Sequence, residues 1–140
     1  MISAILDTNV LASGTTIAST APGQILDAWR AGQFELVLST YIIDELKQTF
    51  QQPYFQNRLT ANDIASFIDL LENETTVVPI ITNVHGVATH PEDDFILATA
   101  VSARADYLVS GDKKFLQKTE PNYHGIILMS PADFIKILNK

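Results

Sequence analysis

The chain has 140 residues, an apolar fraction of 46% and a formal net charge of −7. That length fits one compact domain, that composition excludes a disordered chain, and no apolar run of about 18 residues is present to span a membrane. The acidic balance argues against a protein that coats nucleic acid with a basic face, but not against a nucleic-acid enzyme whose acids bind metal.

The first predicted element is a buried strand over residues 2–6, which stops at Asp7. A helix over 22–31 ends at Gly32, and a strand over 34–38 follows. Ser39 and Thr40 then lead into a helix over 41–51 that stops before Pro53. Thr60-Ala61-Asn62-Asp63 has the form of a capping box and opens a helix to about residue 73. A strand over 76–80 comes next. Pro91, with acids in its first turn, opens a helix over 91–105. A strand over 107–109, a short turn of helix over 112–117 and a strand over 126–128 follow. Ser130-Pro131-Ala132-Asp133, a second capping box, opens the last helix. Short, β-branched strands alternating with helices predict an α/β fold. The sheet is expected to be mainly parallel and five-stranded, with helices on both sides, in a single domain over 1–140.

There are no cysteines, which excludes disulfides, thiolate zinc sites and a cysteine nucleophile. No Lys or Arg precedes Arg30, and Asp7 interrupts the first apolar stretch. A secretory leader is therefore not expected, and the reading is a cytoplasmic protein.

In parallel sheets ligands gather beyond the carboxyl ends of the strands, where strand order reverses. Asp7 ends the first strand, and Ser110-Gly111-Asp112 follows the fourth, so both acids belong at that edge. Glu45 lies inside a helix beside Ile42, Leu46 and Thr49, with Asp44 pointing elsewhere. Of Glu92, Asp93 and Asp94, the last adjoins the apolar run and is the best placed for the buried side. Each acid also has a plain structural reading: Asp112 as a turn residue, Asp93 as a first-turn residue favoured by the helix dipole, Glu45 as a solvated one. Asp7 resists such a reading, because an acid flanked by core residues needs a partner or a job. Two carboxylates about 4 Å apart repel by roughly 4 kcal/mol at an effective dielectric near 20. A cation relieves this, and an oxygen-only donor set suits Mg²⁺ or Mn²⁺ rather than zinc.

The stretches "ILDTNVLAS", "ELKQTF" and "PEDDFILATAVSARADYLVSGDKKFL" resemble the PIN-domain family, and within it the VapC-like toxin components of toxin–antitoxin pairs. The resemblance runs in order along nearly the whole chain, to "MSPADFIKIL". It implies a three-layer α/β/α sandwich and a ribonuclease that uses one or two Mg²⁺ or Mn²⁺ ions and leaves 5′-phosphate and 3′-hydroxyl ends. By that resemblance Asp7, Glu45, Asp94 and Asp112 are the catalytic and metal-binding acids. Thr8, Asn9, Asp93, Ser110 and Lys113 are then supporting or substrate-binding residues, although Lys113 reads equally well as part of a solvated turn. One departure stands out: Thr89-His90-Pro91 replaces the Arg-Asp-Pro common in similar proteins. The implied partners are an RNA substrate, a small antitoxin protein and a second copy of the chain, with no membrane. The alternative is a PIN-like module that binds RNA or protein without cutting.

Overall fold

The computed structural model describes residues 1–80, 84, 91–119 and 121–140, the side chains of Pro91 and Glu92 excepted. Thr89, His85 and His90 lie outside the described residues. Among the described residues six strands form one sheet: β1 (Ser3–Leu6), β2 (Glu35–Ser39), β3 (Thr76–Val78), β4 (Tyr107–Val109), β5 (Asn122–Tyr123) and β6 (Ile126–Met129). Their spatial order is β3-β2-β1-β4-β6-β5. Every pairing is parallel except β5 with β6. The expectation of five strands is corrected to six. The extra strand has two residues and turns back on β6 through Gly125, whose φ of 86° suits glycine.

Central strands β1, β2 and β4 are apolar on both faces and buried, as a sheet covered by helices on both sides demands. The described residues contain eight helices: α1 (Thr8–Gly14), α2 (Ala21–Arg30), α3 (Thr40–Thr49), α4 (Pro53–Gln56), α5 (Ala61–Glu74), α6 (Pro91–Ala103), α7 (Lys113–Lys118) and α8 (Pro131–Leu138). Together with the sheet they make the three-layer α/β/α arrangement. Helix α6 runs against β1, β2, β3 and β4, while α1 packs on α2 and α3, and α2 on α8. Thr60 and Asp63 form the capping box of α5, and Ser130 caps α8. Helices α1 and α4 are additions to the elements expected. Helix α1 begins at the residue after Asp7, with no intervening loop.

The fold has one feature that decides where a site can be. From β1 the chain lays β2 and β3 on one side and then returns to place β4 on the other. Strand order therefore reverses between β1 and β4, and a crevice opens at their carboxyl ends.

Candidate active site

Asp7 and Asp112 flank that crevice. The Asp7 amide extends the β1–β4 ladder by donating to the Val109 carbonyl at 3.0 Å. Its carboxylate caps α1, with Oδ1 accepting from the Val10 amide at 2.9 Å. Oδ2 accepts from Ser110 Oγ at 2.6 Å, and Ser110 Oγ accepts from the Asp112 amide at 3.1 Å. Asp112 in turn caps α7, with Oδ1 accepting from the amides of Lys114 (2.9 Å) and Phe115 (3.2 Å). Fully buried Ser110 thus ties the ends of the two central strands together.

Glu45 approaches from α3, half-buried, where its carboxylate accepts from the Thr8 hydroxyl and from the Tyr41 hydroxyl at 3.1 Å. Its neighbour Asp44 is exposed, as the helix periodicity predicts. Helix α6 contributes Asp93. These four carboxylates line one cleft of about 260 Å³, together with Thr8, Asn9, Thr49 and Ile96. Two larger cavities, of about 470 and 580 Å³, lie elsewhere and share Arg30 and Leu70 between α2 and α5. The smaller cleft holds the acids.

Burial pushes the Asp7 carboxyl up to about 6, and the negative charges of Asp112 and Glu45 add to the rise. The hydrogen bonds from Ser110 and Val10 hold it back. An acid only 5% exposed, beside two others, is what the first strand delivers to the crevice.

The structure brings Asp7, Glu45 and Asp112 to one place, as expected, but the acid of α6 on the cleft is Asp93 rather than Asp94. Asp94 is indeed buried, at 8% exposure, yet it is not among the lining residues. Successive helix residues point about 100° apart, so depth of burial does not determine which acid faces a cleft. Asp93 shares its side with Ile96 at i+3, which also lines the cleft; Asp94 shares its side with buried Leu97 and Ala98. Thr8 and Asn9 line the cleft, and Ser110 lies behind it. Lys113 is exposed at the start of α7, outside the lining.

Tyr41 was not anticipated as a contributor, although its position four residues before Glu45 on one helix is the spacing that allows the contact. The Tyr41 ring stacks on Phe95. Thr49, one further turn along, also lines the cleft.

The donor set suits a hard divalent ion: among the described residues the lining has four carboxylates and no Lys, Arg or His. Oδ2 of Asp112 has no hydrogen bond among the described residues. As the side chains stand, no three acidic or imidazole groups among the described residues gather closely enough to hold an ion.

Comparison with known proteins bears on the family and the fold. The PIN-domain sequence profile matches residues 3–114. No curated protein matches by sequence. The fold is similar to that of VapBC2 from Rickettsia felis bound to a DNA fragment from their promoter, with a TM-score of 0.63 and 14% identity over 92% of this chain and 98% of that one. It is similar also to VapBC-1 from nontypeable Haemophilus influenzae, with a TM-score of 0.61 and 19% identity over 94% of this chain and 99% of that one. A third similar structure is FitAcB from Neisseria gonorrhoeae, at a TM-score of 0.56 and 16% identity over 92% and 98% of the two chains.

Proposed function

Since the chain belongs to the PIN-domain family, we propose that it is a metal-dependent endoribonuclease, the toxin of a toxin–antitoxin pair. The observation that carries the reading is the convergence of Asp7, Glu45, Asp93 and Asp112 on one cleft at the sheet's switch point, with no cationic side chain in its lining among the described residues. We assign those four as the residues that hold Mg²⁺ or Mn²⁺, with Asp93 rather than Asp94 supplied by α6. A bound ion of this kind lowers the pKa of its water and neutralises charge on a phosphodiester.

The chain's own residues do the positioning. Ser110 fixes the Asp7 carboxylate through Oδ2, and the amide of Val10 fixes Oδ1. A carboxyl pushed up to about 6 holds a proton at mildly acidic pH, and an ion competes for that same place. Thr8 and Tyr41 hold Glu45 at the wall of the cleft. Asn9, exposed on the lip, offers an amide to a substrate phosphate, and Lys113 a point charge beyond it. Similarity to VapBC and FitAcB structures supports a small antitoxin as partner; a second copy of the chain is proposed as another. No helix among the described residues is long and apolar enough to cross a membrane, which is consistent with a cytoplasmic site of action.

The test is cleavage of a labelled RNA by purified protein in Mg²⁺ or Mn²⁺. Cutting is expected to stop with EDTA and to be lost in Asp7→Asn with the fold retained. Cutting that survives chelation removes the metal from the mechanism. The alternative is an RNA- or protein-binding module that does not cut. Thermal denaturation separates the two, because an ion that binds the native state raises its melting temperature. A midpoint insensitive to both ions supports the module.

A further inference from the structure

We propose that Phe95, stacked on Tyr41, is the platform on which a nucleobase of the substrate strand lies beside the acidic cleft. The proposal rests on the nuclease reading and adds a specificity-determining residue to it. Phe95 is 47% exposed, although it sits in α6 two residues from Asp93 and next to Ile96, both of which line the cleft. A half-open phenyl ring in that position has no part in the core. Its ring lies against Tyr41 with centroids 4.6 Å apart and planes 27° from parallel. The Tyr41 hydroxyl donates to Glu45 at 3.1 Å, so the ring pair continues directly from the wall of the cleft.

The pair is also held in place. Thr99, one turn beyond Phe95, donates to the Phe95 carbonyl at 3.0 Å and its hydroxyl lies 2.8 Å from Ser39 Oγ. Ser39 caps α3, the helix that carries Tyr41. This contact sets α6 against α3, and with it one ring against the other, before any ligand arrives. The other exposed aromatic of note, Tyr54, already has the Arg58 guanidinium over its ring at 3.7 Å. Every base has a π-face, so a rigid open ring beside a phosphate-directed site suits an unpaired strand, whose bases are free to stack.

The experiment compares wild type, Phe95→Ala and Phe95→Trp on one short single-stranded oligoribonucleotide and on the same strand annealed to its complement. Binding is measured alongside in the Asp7→Asn background, by anisotropy of the labelled strand. Stacking of one base on an aromatic ring is lost in Phe95→Ala, so KM on the single strand should rise about five- to ten-fold while kcat changes less than about two-fold. Phe95→Trp should restore KM, the duplex should show no such dependence, and the melting temperature of Phe95→Ala should fall by no more than a few degrees, for the lost contact with Tyr41. If wild type cuts and Phe95→Ala leaves KM unchanged, the platform is overturned and the nuclease stands. If wild type binds the strand without cutting and Phe95→Ala weakens that binding, the platform stands and the nuclease reading fails. Absence of both cutting and binding overturns both, and a Phe95→Ala effect confined to association with another protein chain assigns the ring to a protein interface instead.

Discussion

Asp7→Asn should make the ion-free protein more stable at pH 8, even as it abolishes cleavage. The Asp7 carboxyl moves from 3.8 to about 6 on folding. Its folded-state value lies above the unfolded one, so the associated stability is present in full below about pH 4 and is lost as pH rises through 6. That difference corresponds to about 3 kcal/mol of penalty for carrying the buried charge at pH 8. Asparagine carries no charge and still presents an oxygen to the Val10 amide, so the cap on α1 survives. The Ser110 hydroxyl loses a carboxylate acceptor, which costs about 1 kcal/mol. The net expectation is a gain of about 2 kcal/mol for the variant at pH 8, falling to zero or slightly below at pH 4.5. Urea denaturation in EDTA, followed through the fluorescence of Trp29, the single tryptophan, reads both values. Adding Mn²⁺ should reverse the order at pH 8, since wild type alone gains roughly 3 kcal/mol at about a hundred times Kd. A variant less stable than wild type at pH 8, or a difference that does not change with pH, refutes the account of Asp7 as a charge held against its environment.

Asp93→Asn should weaken Mn²⁺ binding at least about ten-fold and remove cleavage, whereas Asp94→Asn should leave Mn²⁺ affinity within about two-fold; calorimetric titration of both variants checks the exchange of roles. Ser110→Ala removes the bridge between Asp7 and the Asp112 amide, so stability should fall by about 1–3 kcal/mol in chemical denaturation. The same change should move the Asp7 titration upward, since Ser110 holds it down, as NMR of the carboxyl carbon can follow. Gly23→Ala should cost about 1–3 kcal/mol, because the added Cβ would lie 2.5 and 2.6 Å from the carbonyls of Ile17 and Ala18, backbone atoms that cannot swing aside; the melting temperature checks it.

Much of this was legible locally. Apolar, β-branched runs mark β1, β2, β4 and β6 to within a residue or so, and Thr60–Asp63 and Ser130 mark the starts of α5 and α8. These signals lie within a few neighbouring residues, and so does the placement of Asp7 and Asp112 just past strands β1 and β4. Helix α1 has no local signal of its own, because Asp7 reads as the end of a strand, while in the fold it is also the cap of the helix that follows at once. Strand β5 has two residues and exists only through its pairing with β6. The choice between Asp93 and Asp94 depends on the rotation of α6 about its axis, which its packing across β1 to β4 and the Thr99–Ser39 contact set. The sequence by itself determined which elements form and which acids stand at their ends, because propensity and capping act over one or two turns of chain. Only the tertiary structure decided which of two adjacent carboxylates faces the cleft and which aromatic ring is left open beside it, because a helix's rotational phase is fixed by the surfaces it packs against.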